Sequence, residues 1–296
     1  MKKSVFLYSL AILAAGCTDS EGTYDAVGNF EATEIIVSAE ATGRILSFPA
    51  REGTEIKPGE TVVSIDSTQL FLRKLALEKD VQSVVSTAPD IQKQIAATQE
   101  QLQKQEQERR RTESLMQDHA ATQKQLDDIL SAIAVLRKQL DAQKSTLSNS
   151  TTSIREKSSA MEIQVAQLSD QLSKCKVSAP AAGTILAKYA EAGELAVPGK
   201  PLFKMADLTN MYLRAYVTSS QLADLRIGQK VKVYADFGDG HTREYPGVVQ
   251  WISDKSEFTP KSVTTSDERA STVYAVKVAF RNDGHAKIGL YGGIRL

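Results

Sequence analysis

The sequence predicts an α+β protein: a long, segmented antiparallel helical hairpin inserted into a split β-sandwich and followed by a small β-barrel. Three observations predict this fold. The central region has the apolar spacing of a coiled coil, the segments on either side of it repeat each other, and the rest of the chain alternates apolar and polar residues in short runs. The 296 residues suffice for about two domains.

The chain begins with the features of a bacterial secretion signal. Lys2 and Lys3 precede an apolar run over residues 5–15, which is too short to span a bilayer. Residues 13–17 (LAAGC) resemble a lipobox, the motif in which the cysteine is lipidated and becomes the mature N-terminus. We therefore expect residues 1–17 to be a lipoprotein signal peptide and Cys17 to carry a lipid anchor. An ordinary secretory signal with an accidental cysteine is the alternative.

Composition and motif content exclude several classes of function. The 36 basic and 36 acidic residues balance, which argues against a nucleic-acid partner. If Cys17 is lipidated, Cys175 is the remaining thiol, so no internal disulfide or CxxC pair can form. His119, His241 and His285 are far apart, and no GxSxG, HExxH or phosphate-binding glycine loop occurs. We expect no enzyme activity, and no catalytic, cofactor-binding or metal-binding residues.

Residues 67–175 are predicted to form the helical hairpin. Apolar residues recur at spacings of three and four in both halves of this region, which is the seam of a coiled coil. The seam comprises Leu70, Leu77, Val81, Val84, Ala88, Ile91, Ile95 and Leu102, then Leu126, Ile129, Ile133, Leu136, Leu140, Leu147, Ile154, Met161, Val165, Leu168, Leu172 and Cys175. Two such segments on one chain should fold back on each other as antiparallel arms.

Three interruptions subdivide the hairpin. The seam lapses near residues 117–121, which places the turn there, and Thr122 with Gln125 fits a capping box at the start of the second arm. Pro89 predicts a break near 86–90, and a run of poor helix formers predicts another near 148–153. These two breaks would lie side by side as a hinge. About 50 residues per arm predict a rod of roughly 75 Å.

The segments that flank the hairpin repeat each other at a constant offset of 140 residues. Residues 37–46 (VSAEATGRIL) align with 177–186 (VSAPAAGTIL), and residues 36–66 contain 11 identities in 31 ungapped pairs. Each copy has short strand patterns separated by Gly turns. The sequence therefore predicts two half-units, 35–66 and 176–207, that close into one sandwich only when they meet.

The tail of the chain, residues 208–296, is predicted to form the barrel. Runs such as 212–217, 230–234 and 273–278 alternate apolar and polar residues and are separated by Gly and Asp turns. Residues 18–34 are expected to be a linker and a strand that joins this barrel.

This order of segments resembles the membrane fusion protein (HlyD) family of periplasmic adaptors, in which the two halves form a biotinyl/lipoyl-like domain. Residues 29–32 (NFEA) resemble the first strand of that family, and residues 178–183 (SAPAAG) resemble its motif re-entering the lipoyl unit. Residues 257–261 and 267–269 resemble the branch that works with ABC-type exporters, as do the paired helix breaks.

The resemblance implies an adaptor of a tripartite efflux or secretion system in a Gram-negative periplasm. It links an inner-membrane transporter, with an ABC-type exporter favoured, to a TolC-like outer-membrane channel, and relatives imply a homo-hexameric ring or funnel. A lipid on Cys17 implies attachment to the inner membrane. Arg111, Leu115 and Thr122 resemble the Arg-x₃-Leu-x₆-Ser tip motif by which adaptors dock TolC-like channels, with Thr122 in place of Ser.

Other interpretations remain open from the sequence. Arg111 can be a solvated charge in the basic run 109–111, with Leu115 the last core residue of the hairpin. A biotin- or lipoyl-type carrier would use a lysine flanked by Met, for which Lys204 is the candidate. A structural coiled-coil lipoprotein of the envelope is the third interpretation.

Overall fold

The computed structural model describes residues 24–258 and 272–296 and confirms the predicted α+β architecture. The elements in chain order are β1 (Ala26–Glu31), β2 (Glu34–Ser38), β3 (Gly43–Ser47), β4 (Glu55–Ile56), β5 (Thr61–Ile65), α1 (Thr68–Ser86), α2 (Ile91–Gln117), α3 (Gln123–Lys174), β6 (Lys176–Ser178), β7 (Gly183–Lys188), β8 (Leu195–Ala196), β9 (Pro201–Ala206), β10 (Asn210–Thr218), α4 (Ser219–Leu222), β11 (Lys230–Asp236), β12 (Thr242–Phe258), β13 (Thr272–Arg281) and β14 (Tyr291–Arg295).

The two halves of the repeat form the sandwich by exchanging strands and hydrogen bonds. Its sheets have the orders β2-β9-β7-β4 and β6-β5-β3-β8, so each sheet contains strands from both halves. Four turn glycines with φ between 76° and 95° tie one half to the other. The N–H groups of Gly53, Gly59, Gly193 and Gly199 donate to the carbonyls of Ile185, Ala179, Ile45 and Ala39 at 2.8, 2.8, 2.8 and 2.9 Å. The donor glycines are related by the 140-residue offset, and so are the acceptor carbonyls. Each half of the repeat therefore supplies the acceptors for the turn glycines of the other half.

Gly43 and Gly183 occupy equivalent positions where the backbone is crowded. An added Cβ would lie 2.8 Å from the Asp66 carbonyl oxygen at Gly43, and 2.7 Å from the Ala206 carbonyl oxygen at Gly183. Gly43→Val and Gly183→Val should each lower the free energy of unfolding by about 1–3 kcal/mol, because backbone atoms must shift. Urea denaturation would measure the effect, with Thr42→Val at an exposed neighbouring position as the control. Equal stability of both glycine variants and the parent would contradict the equivalence.

The barrel is closed by a strand from the beginning of the described chain. Its order is β1-β10-β13-β12-β11-β14, and β1 pairs with both β10 and β14. Phe30, Leu213, Val233, Val278 and Ile294 are fully buried in its core. Since β2 of the sandwich begins at Glu34, the barrel and the sandwich are covalently joined both before the hairpin and after it.

In the hairpin, α1 and α2 form one arm and pack in turn against the single helix α3. The break in the first arm lies between Ser86 and Ile91. Pro89 lies within it, and the Asp90 side chain accepts a hydrogen bond from the Lys93 N–H at 3.2 Å, which caps α2. The 52 residues of α3 span about 78 Å. Among the helices of the described residues, none has the length and apolarity needed to cross a bilayer.

The break predicted near 148–153 is wrong, because α3 continues through that segment. One threonine of the segment and one just before it bond to the helix backbone. Thr151 Oγ1 donates to the Leu147 carbonyl at 2.9 Å, and Thr146 Oγ1 donates to the Ala142 carbonyl at 3.0 Å. Packing against α1 and α2 overrides the low helix propensity of the run. One arm of the hairpin is therefore segmented and the other is continuous, so no hinge crosses both arms at one level.

Candidate functional site at the hairpin tip

The three residues that the sequence singled out lie together at the tip. Arg111 and Leu115 are one turn apart on the same face of α2, and Thr122 immediately precedes α3. All three side chains are exposed, and the exposed fraction of Leu115 is 39%. The hairpin seam instead runs through Thr112, which is buried, and Met116, which is partly buried. Leu115 is therefore not the last core residue of the hairpin, and its apolar side chain is available to another molecule.

A Schellman motif ends α2 and orients the tip. The Ala120 N–H donates to the Leu115 carbonyl at 2.8 Å, and the His119 N–H donates to the Met116 carbonyl at 3.0 Å. His119 has φ 57°, a left-handed conformation that Gly usually supplies at this position. The sequence did not reveal this motif, because a histidine occupies the glycine position. Its hydrogen bonds hold the Leu115 backbone against the turn.

The predicted capping box at the start of α3 is confirmed. The Thr122 N–H donates to Gln125 Oε1 at 2.8 Å, and the Gln125 N–H donates to Thr122 Oγ1 at 3.4 Å. Backbone groups at the end of α2 and at the start of α3 are therefore hydrogen-bonded within the turn itself. These hydrogen bonds fix the backbone positions of Leu115 and Thr122 at the tip.

Polar contacts hold the two arms together below the tip. Arg137 donates to Glu106 Oε1 at 2.7 Å across the hairpin, and this hydrogen bond lowers the pKa of the Glu106 carboxyl. Thr98 Oγ1 also donates to Gln143 Oε1 across the hairpin at 2.9 Å, whereas the contact of 3.6 Å between Arg109 and Glu113 stays within α2. Among the described residues, no salt bridge involves Arg111, which leaves its guanidinium free to meet acceptors on a partner.

Thr122 can act as a helix cap, as a contact residue, or as both, and one substitution separates these roles. Aspartate caps a helix about as well as threonine, so Thr122→Asp should leave the melting temperature unchanged. If the tip enters a partner, the same change should weaken binding by roughly tenfold, because an unpaired charge is desolvated there. Thr122→Ser should be silent in both assays. Normal binding by Thr122→Asp would restrict Thr122 to capping.

The remaining sequence candidates lie elsewhere. Cys17 is outside the described residues. Cys175 is 1% exposed, and it packs in the sandwich core at the end of α3 rather than on the hairpin seam. Burial raises the pKa of its thiol, which favours an unreactive side chain. Within residues 24–258 and 272–296, no group of three or more His, Cys, Asp or Glu is arranged to hold a metal ion.

Lys204 lies in the middle of β9 rather than at an exposed hairpin turn. It is paired in register with Ile36 on one side and Ala187 on the other. Its Nζ lies 2.9 Å from Glu34 Oε2, and this interaction is the main cause of the raised Lys204 pKa. An ion-paired lysine in mid-strand is poorly placed for attachment of a swinging cofactor arm.

Comparison with known proteins identifies the architecture. The family described as "CzcB-like, barrel-sandwich hybrid domain" matches residues 33–207, which include the sandwich and the inserted hairpin. The chain belongs to this family of membrane fusion proteins. Among its relatives, the UPF0194 membrane protein in the asrC 5′ region of Acidithiobacillus ferridurans is 25% identical over 288 residues, covering 90% of this chain and 84% of its own. A UPF0194 membrane protein of Yersinia pseudotuberculosis is 24% identical over 299 residues, covering 93% and 90%.

Solved structures share the fold of this membrane fusion protein. MacA from Actinobacillus actinomycetemcomitans has a TM-score of 0.55 at 17% identity, covering 91% of this chain and 76% of its own. The membrane fusion protein Spr0693 from Streptococcus pneumoniae R6 has a TM-score of 0.52 at 16% identity, covering 91% and 96%. At these identities the similarity concerns the fold.

Proposed function

We propose that this membrane fusion protein is a non-enzymatic periplasmic adaptor. It links an inner-membrane transporter, with an ABC-type exporter favoured, to a TolC-like outer-membrane channel. The observation that carries the proposal is the tip, where exposed Leu115 lies beside exposed Arg111 on an ordered turn at the end of the rod. An apolar anchor beside a planar, multidentate donor is a combination suited to protein–protein contacts.

The architecture supports a division of roles along the molecule. The rod of about 78 Å carries the tip away from the sandwich and the barrel. The two ends of the molecule can therefore contact proteins that lie in two different membranes. We propose that the barrel contacts the transporter and that copies of the chain associate into a hexameric ring or funnel. Spr0693, whose fold this chain shares, is itself described as a membrane fusion protein.

A deletion strain tests the function. Loss of the chain should raise sensitivity to a panel of antibiotics, dyes and detergents while periplasmic marker proteins stay inside the cell, and a plasmid copy should restore resistance. A photoreactive amino acid at position 115 should cross-link to an outer-membrane channel protein, whereas one at Val135, a 65% exposed position further down the hairpin, should not. Unchanged sensitivity together with no cross-link at position 115 would refute the adaptor.

Two further measurements separate the alternatives. A carrier protein, purified from the parent strain, would carry biotin or lipoate that blotting and intact mass detect. The ion pair between Lys204 and Glu34 argues against such an attachment. A structural coiled-coil lipoprotein would, when deleted, release periplasmic markers without a change in compound accumulation.

We propose that Cys17 anchors the adaptor in the inner membrane through lipid. Several acyl chains hold a protein firmly, since each buried CH₂ contributes about 0.8 kcal/mol. Cys17→Ala should therefore yield a larger, unprocessed or mislocalised protein that incorporates no labelled palmitate, measured by fractionation and gel mobility. Cys175→Ala serves as the matched control and should remain labelled. A processed Cys17→Ala protein retained normally on the membrane would contradict the proposal.

A further inference from the structure

The two most exposed large apolar side chains of the described residues lie at one end of the barrel. Phe258, at the end of β12, is 78% exposed, and Ile227, just before β11, is 67% exposed. Because β11 and β12 are antiparallel, the start of one and the end of the other belong to the same rim. β1 begins at this rim too, since it is antiparallel to β14, which is antiparallel to β11. We call this end of the barrel the entry rim.

Exposed apolar residues continue from Ile227 along β12. The Gly228 N–H donates to the Val249 carbonyl at 2.8 Å, which holds the loop of Ile227 against β12. Val248 and Trp251, on either side of that contact, are each 40% exposed. Apolar residues grouped in this way on a surface indicate an interaction site. We call the group the entry-rim patch, and it comprises Ile227, Val248, Trp251 and Phe258.

Basic side chains border the patch. The exposed or partly exposed ones are Arg226, Lys230, Lys255 and Lys277. Lys230 is paired in register with Val248, and Lys277 with Trp251. Two exposed acidic residues, Asp224 and Asp254, lie among them, so the basic residues are in excess. Tryptophan and apolar side chains bordered by Lys and Arg are typical of a surface that lies between lipid headgroups and acyl chains.

The entry rim is also the end of the barrel nearest along the chain to the proposed lipid anchor. Ala26, the first residue of β1, is nine positions after Cys17. Nine residues span at most roughly 30 Å. The sandwich is joined to the opposite end of the barrel, where β1 ends and β10 begins. A lipid on Cys17 therefore holds the entry rim, and not the sandwich, close to the bilayer.

We propose that the entry-rim patch inserts into the phospholipid surface to which Cys17 is anchored. The inference rests on the lipid anchor in the proposed function and adds a second contact made by the protein itself. A lipid anchor alone limits the distance of the barrel from the bilayer and leaves its orientation open. Insertion of the rim fixes that orientation, with the sandwich and the rod directed away from the membrane. The bilayer is favoured over a protein partner because the short chain from Cys17 places it within reach of the patch.

Trp251 is the single tryptophan of the sequence and reports the contact directly. The full-length protein is purified from membranes and reconstituted into vesicles of phosphatidylethanolamine and phosphatidylglycerol that contain lipids brominated near the headgroup. These lipids should quench the fluorescence of Trp251. Ile227→Asp combined with Phe258→Asp should reduce the quenching at least twofold, because charged side chains do not enter the acyl region. Quenching of the parent no stronger than that of the double variant would overturn the proposal.

A matched variant controls for damage to the fold. Val135→Asp combined with Ile163→Asp also places two carboxylates at exposed apolar positions, 65% and 60% exposed on α3. It should be quenched like the parent, and both double variants should keep the parent's melting temperature. Loss of quenching in this control as well would overturn the assignment to the rim.

Two further readouts separate the inserted rim from the lipid anchor and from a protein partner. Palmitate labelling is measured on the same samples. Labelled protein without quenching refutes the inserted rim alone, whereas quenching without labelling refutes the anchor alone. A photoreactive amino acid at position 227 should form an adduct with phospholipid in cells. A discrete protein adduct in its place would assign the patch to a protein partner and overturn the proposal.

Discussion

Leu115→Ser combined with Arg111→Asp should reduce export to the level of the deletion strain. The double variant removes the exposed apolar side chain and reverses the charge on the same face of α2, one turn apart. The few hot-spot residues of an interface cost about 2 kcal/mol or more each when truncated, so if Leu115 and Arg111 are such residues, the loss of both should abolish channel binding. Compound accumulation and cross-linking to the channel measure the effect.

A matched variant separates tip docking from general damage to the hairpin. Val135→Ser combined with Arg110→Asp also removes an exposed apolar residue and reverses a charge in the basic run, but Val135 lies on α3 and Arg110 is rotated about 100° around α2 from Arg111. It should export normally, and both variants should have the parent's cellular level and melting temperature. Normal export by the variant with Leu115→Ser and Arg111→Asp would mean that the channel contacts another part of the hairpin.

Gly28→Val should have the largest effect on stability. Gly28 faces the barrel interior on β1, opposite Ala215 on β10 and Gly292 on β14. A side chain there would collide with the Arg214 carbonyl oxygen, a backbone atom of the paired strand. We expect the free energy of unfolding to fall by about 3–5 kcal/mol, because β1 must leave the barrel or distort its neighbours.

Thermal denaturation would measure the Gly28→Val effect by circular dichroism. Asn29→Val at the next position is the control, since Asn29 points outward and valine suits a strand. The control should melt within a few degrees of the parent. Equal melting temperatures for both variants would mean that β1 does not close the barrel as described.

Most of the architecture was predictable because two of its signals are long-range and periodic. The seam from Leu70 to Leu172 and the 140-residue repeat each involve many positions, so single exceptions do not obscure them. The break near 148–153 was mispredicted because propensity treats its Ser, Asn and Thr residues as helix-weakening, whereas in α3 the Thr151 hydroxyl bonds to a carbonyl one turn earlier. Local propensity is a weak guide where another helix packs alongside.

The candidate site was predictable in position and not in geometry. The lapse of the seam near residues 117–121 located the turn, and Thr122 with Gln125 identified the cap. The resemblance to a tip motif singled out Arg111, Leu115 and Thr122, whose role stays a prediction. The Schellman turn at His119 was not predictable, since Gly normally marks it.

The reciprocal hydrogen bonds between the halves have a consequence for the kinetics of folding. Partners such as Ile45 and Gly193 are about 150 positions apart, so the first half must wait until the second has been synthesised. The hairpin contains mainly local helical contacts, which form within microseconds. Once its arms pair, Asp66 and Lys176 are brought together, and the two halves search a short distance instead of a long loop. We therefore expect the sandwich to close slowly and only after the hairpin has formed. Variants that weaken the packing of α1 against α3 should delay refolding of the sandwich.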